Sequence, residues 1–121
     1  MTPERFVETI REVVSEVAFT GQMARLREPP GRQPRPNIVR RSEWFNSLSS
    51  SDQDMVAETV RSAVEAAVFR FLCLLDGVTA LDDGQGMLRL TYRTPEYGDT
   101  WLNDPTACEL HEALRGDGPP P

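Results

Sequence analysis

Apolar residues change their spacing twice along this chain, and each change marks a different kind of element. From Thr2 to about residue 20, Phe6, Ile10, Val13, Val14 and Val17 recur at three- and four-residue steps, with Glu8, Arg11, Glu12 and Glu16 mostly opposite. That spacing predicts an amphipathic helix capped by Thr2, with Pro3 in the first helical position and Gly21 weakening or ending it, unless "QMARLRE" extends it by another turn or two. A second periodic stretch, "SEWFNSL", predicts a short helix opened by Ser42, with Trp44, Phe45 and Leu48 on its inner face. The strongest helical pattern follows, from Ser51 to Asp76-Gly77. Its first half is two-faced, with Val56, Val60, Ala63, Val64 and Ala67 inward; its second half, Ala66 to Leu75, is apolar almost all round and predicts enclosure on several sides. Gly77 suits a left-handed C-terminal cap.

Beyond Gly77 the period shortens. "VTAL", "MLRLTYR" and "TWLN" are brief and contain β-branched and aromatic residues, and "DDGQG" and "TPEYGD" separate them as turns. Leu88, Leu90 and Tyr92 alternate with Arg89, Thr91 and Arg93, which predicts a strand with one buried face. Asp104 and Pro105 then predict the start of a last helix carrying Leu110, Ala113 and Leu114 inward and closed by Gly116. The expected fold is α+β and mainly helical. A long central helix packs with an N-terminal helix, a small antiparallel hairpin or three-stranded sheet, and a C-terminal helix. It forms one domain over residues 1–115, with a disordered tail at 116–121.

Composition adds one anomaly and several exclusions. Between Arg25 and Arg41 lie six arginines against the single acid Glu28, while the rest of the chain has seven arginines and eighteen acids. A basic, proline-rich loop at 28–37 therefore crosses an acidic domain. It either neutralises the domain's own acidic surface or serves as a contact arm, in which Arg32, Arg35, Arg40 and Arg41 are the contact candidates. Tyr97, beside Gly98 in the hairpin loop, is the aromatic expected to be exposed, whereas Trp44 is expected in the core. With a net charge of −6, and no aromatic among the loop arginines to stack on bases, nucleic acid is an unlikely partner. All thirteen basic residues are Arg, which reads as coding bias rather than chemistry.

The longest apolar run, "AAVFRFLCLL", is about half the roughly 20 residues a span needs, so no membrane segment is expected. Cys73 and Cys108 both sit in apolar helical patterns, which points to a reduced, cytoplasmic protein. Cys108, His111 and Glu112 share a helix face, but no second ligand pair is visible and flanking Glu109 and Glu112 oppose a thiolate. "LDDGQG" has neither the spacing of a calcium loop nor the helix that follows a phosphate loop. No catalytic residue, metal or cofactor is assigned.

The segments "EWFNSLSSSDQDMV", "AVFRFLCLLDGV", "LRLTY", "WLND" and "ELHEAL" resemble small uncharacterised bacterial proteins with a W-x-x-x-L-S-x-x-D start, an F-L-x-x-L-D-G-V helix end and a final L-H helix. The similarity spans about residues 44–114 and its motifs are structural. It implies a small acidic protein without enzyme activity, of the immunity or accessory kind, and transfers no catalytic residue. The functional expectation is a cytoplasmic, non-enzymatic protein that binds another protein, basic or toxin-like, or a second copy of itself. The alternative is a small nucleic-acid-associated factor using Arg25–Arg41.

Overall fold

The computed structural model describes residues 1–116, so most of the expected tail, 117–121, lies outside the described residues. The fold is α+β and mainly helical. Its elements run α1 Pro3–Ile10, a π-helical turn Arg11–Ser15, α2 Glu16–Arg27, α3 Pro36–Ser47, α4 Ser50–Leu75, β1 Thr91–Thr94, β2 Gly98–Trp101 and α5 Leu110–Gly116. They form two compact units, one made of Met1–Val13 and the residues from Ala66 onward, the other of Val14–Glu65.

In the first unit Thr2 caps α1, its Oγ1 accepting the Arg5 N–H at 3.1 Å, as its sequence position predicts. Val7, Leu72 and Leu110 form a small core, with Phe6, Val68, Leu75, Leu90, Ala113 and Leu114 against it. α4 ends where Gly77 indicates. Gly77 has φ +79°, its N–H donates to the Leu74 carbonyl at 3.2 Å, and the Val78 N–H donates to Cys73 at 3.0 Å, a Schellman closure. β1 and β2 pair antiparallel, Thr91 opposite Trp101 and Thr94 opposite Gly98. Gly98 takes φ +72° to close the turn.

The sheet has two strands among the described residues. "VTAL" is not one of them, because residues 78–87 are exposed throughout and bury no face that would favour pairing. Asp82 Oδ1 instead accepts the Gly84 N–H at 2.9 Å, a side-chain turn in place of a ladder.

The second unit has its own core of Met23, Leu26 and Phe45, with Phe19, Leu48, Val56, Ala57 and Val60 around it. The first helix runs past Gly21 to Arg27, the longer of its two expected ends. Two expectations change here. The helix's expected stripe breaks at the π turn, where Val13 and Val14 are exposed at 59 and 42%, and Val17 beyond it at 60%. The wider turn rotates the side chains that follow it relative to those before, and Phe19, Met23 and Leu26 become the inward set. α3 begins at Pro36, six residues before Ser42, because proline suits a first helical position. Ser42 is buried in mid-helix instead.

α4 is capped by Ser49, whose Oγ accepts the Asp52 N–H at 3.1 Å, two residues earlier than the Ser51 box expected. Arg61 pairs with Glu16 at 3.0 Å and lies 3.8 Å over the Phe19 ring, rather than pairing with Glu58 along its own helix. The hydrogen bond to Arg61 holds the Glu16 carboxyl below its usual range. The second half of α4 is less enclosed than its composition implies: Leu72 and Cys73 are buried, but Ala66, Ala67, Arg70 and Phe71 are exposed. Among the described residues no helix is long and apolar enough to cross a membrane.

Candidate functional site

In the second unit, the basic arm is largely helical. Arg35 occupies the position before α3, and Arg40 and Arg41 lie on that helix, all exposed. Arg25, from the last turn of α2, joins Arg35 and Arg41 in lining one polar cleft with Gln22, Leu26, Asn37 and Ile38. Arg32 sits in the exposed bend before them. Among the described residues none of these arginines is paired with a carboxylate, so the arm is not neutralised there. Three guanidiniums sharing a cleft without a counter-charge repel one another, and an anionic group entering it would relieve that repulsion.

The other face of α3 carries a different surface. Trp44 is 51% exposed, because Phe45, its neighbour, takes the core position with Met23 and Leu26. A helix can point only one of two successive residues inward. Trp44, Leu48, Met55, Val56 and Val60 line a mostly apolar groove, with Asp52 and Thr59 at its margin. Met55 is 60% exposed. Arg40, one turn before Trp44, shares its helix face. The expectation of a core tryptophan is thus corrected, and the groove is a surface that sequence reading did not find.

In the first unit Tyr97 is 85% exposed at the hairpin turn, as expected, its N–H donating to Thr94 Oγ1 at 3.0 Å. The same unit buries a polar cluster at the end of α4. Asp76 Oδ2 accepts the backbone N–H of His111 at 2.8 Å and lies 2.7 Å from the ring Nδ1. The Asp76 and His111 side chains are 1% and 8% exposed. Glu109 Oε2 lies 3.4 Å from Nδ1 and Glu112 Oε1 lies 3.2 Å from Nε2. Among the described residues Asp76 Oδ1 is buried without a hydrogen-bond partner. Phe69 meets the imidazole edge-on at 5.9 Å.

These residues come together because α5 begins later than expected. Asp104 closes a turn, its Oδ1 accepting the Thr106 N–H at 2.9 Å, and those bonds to Thr106 lower its carboxyl's pKa. The helix starts only at Leu110. Asp76, thirty-five positions away in sequence, then accepts a first-turn N–H of α5, that of His111, in place of the cap expected from Asp104.

Cys108 does not make the cluster a nucleophilic site. Burial first, then the nearby Glu4, Asp76 and Glu109 charges, push its thiol up from its ordinary value, which disfavours the thiolate. Asp76, Glu109 and His111 present donor atoms all within 4.8 Å of one another, a set that no local spacing reveals. Compared with known proteins, the chain matches no family model, no curated protein and no solved structure.

Proposed function

We propose that this is a non-enzymatic protein that binds another protein, with the groove between α3 and α4 as its docking surface. The observation that carries this reading is the exposure of Trp44 and Met55 over a groove floored by Leu48, Val56 and Val60. Large apolar side chains of this kind supply the anchors of protein interfaces. Among the described residues twelve large apolar side chains are exposed while eight apolar residues are buried, an excess that suits a chain with a partner to cover some of them.

The flanking charge decides the kind of partner. Arg40, one turn before Trp44 on the same helix face, favours an acidic segment bearing apolar side chains, placed away from Asp52 at the groove's margin. The chain's acidic total, by contrast, favours a basic partner. The local field outweighs the total because charges beyond about 10 Å are largely screened at physiological salt. An immunity or accessory role fits such a protein, and two unpaired cysteines suit a reducing cytoplasm.

The test is capture from the source organism's extract by the wild-type chain and by a Trp44→Ser/Met55→Ser variant. An acidic partner retained stoichiometrically by the first and lost by the second is the expected result. It should also dissociate as salt is raised. Identical recovery by both, or recovery of neither, would sink the proposal.

A second reading rests on the cleft of Arg25, Arg35 and Arg41, which suits a phosphate-bearing polymer. It expects DNA or RNA binding that falls steeply with salt, with the salt slope reduced by about 1 for each arginine changed to alanine. A shallow slope, or one unchanged by the triple substitution, would remove it.

A further inference from the structure

We propose that Asp76, Glu109 and His111 form a binding site for a first-row divalent transition-metal ion. A structural ion pair between Asp76 and His111 explains one carboxylate oxygen and one ring nitrogen. It leaves Asp76 Oδ1 buried and unpartnered, and it does not explain why Glu109 and Glu112 also converge on the same imidazole. A buried polar atom without a partner costs about 1–3 kcal/mol, and a cation held beside three other donor groups would relieve that cost.

The donor set narrows the ion. Two carboxylates and one imidazole within 4.8 Å of one another need only a small contraction to reach a common centre, since ligand bonds to such ions are about 2.0–2.2 Å. Imidazole disfavours magnesium and calcium, which take oxygen ligands. No thiolate belongs to the set, and the affinity order for nitrogen and oxygen sites places zinc among the tighter-binding divalent ions of the first row. With its N–H on Nε2, facing Glu112 Oε1 at 3.2 Å, His111 would present the Nδ1 lone pair to the metal. Asp76 Oδ2 could keep the His111 backbone N–H while Oδ1 takes the ion. The rigid parts are already in place: Asp76 is held at the end of α4, and Phe69 fixes the ring from the side.

The experiment uses the full chain without a histidine tag, stripped with chelator, and titrated calorimetrically with Zn²⁺ and spectroscopically with Co²⁺. We expect saturable binding of one equivalent of either ion, each displacing the other, with no sulfur-to-cobalt charge-transfer band. Glu109→Gln, a half-buried position whose change should leave the fold intact, is expected to weaken Zn²⁺ binding by at least about tenfold. Asp76→Asn should do so as well, and Cys108→Ser should not. Folded wild-type protein that binds neither ion saturably would overturn the site. So would full affinity in Glu109→Gln, or loss of binding in Cys108→Ser.

Discussion

Leu72→Asp is expected to unfold the first unit. Leu72 is 1% exposed and packs among the apolar side chains of Val7, Leu110, Val68, Leu75 and Leu90. The substitution removes apolar burial and inserts an unpaired charge, so a loss of more than about 4 kcal/mol is expected. That is a large fraction of the roughly 5–15 kcal/mol of an ordinary domain. Ala66→Asp provides the contrast. It lies on the same helix in the stretch whose composition implies enclosure, yet it is exposed, and its cost should stay below about 1 kcal/mol, largely helix propensity. Guanidinium unfolding followed by circular dichroism reads both. Equal midpoints for the two variants would show that the buried face of α4 is wrongly placed.

The second large effect is expected at Asn103, which is 3% exposed. Its Oδ1 accepts the Leu90 N–H at 2.7 Å and the Trp101 Nε1–H at 2.8 Å. Its Nδ2 donates to the carbonyls of Leu75 at 2.7 Å and Leu88 at 2.9 Å. One amide thereby uses its full set of donors and two acceptor positions, and joins the end of α4 to the chain entering β1 and the chain leaving β2. In Asn103→Asp the two accepting contacts survive, but the second carboxylate oxygen faces two carbonyls. We expect a loss of about 3 kcal/mol at pH 7.

The pH dependence follows in sign. Burial and the carbonyls would raise the new carboxyl's pKa in the folded state, so folding is least penalised below its ordinary value and loses ground as pH rises through the raised one. The variant should therefore recover part of its deficit near pH 4, where the acid can donate to one carbonyl. Urea midpoints at the two pH values, compared with wild type at each, check this. A pH-independent deficit would mean that the side chain escapes to solvent.

The two residues differ in how they could be found. Leu72 falls in a long apolar helix that periodicity marks plainly. Asn103 stands in "TWLND", where nothing local separates a turn asparagine from a buried one, because its four partners come from Leu75, Leu88, Leu90 and Trp101. Asp76 and His111 repeat the lesson. Each is visible as a helix-end acid and a lone histidine, but their 2.7 Å approach depends on where α5 begins. Trp44 and Phe45 make a third case: both are aromatic and adjacent, and only the packing of α3 on Met23 and Leu26 decides which one is left outside.

Local chemistry was therefore enough for several element ends, though not for the starts of α3 and α5. Thr2 at the start of α1, Gly77 after α4, the Asp82–Gly84 turn and the Tyr97–Gly98 hairpin all follow from bonds a few residues long, which the chain carries wherever it goes. Tertiary structure alone decided the π turn's rotation of the first helix, the exposed side of α4, the apolar groove, the arginine cleft and the buried histidine cluster. These depend on which of several equally apolar or polar faces finds a neighbour. That choice is made by contacts between residues far apart in sequence, and spacing within a single helix or strand does not contain it.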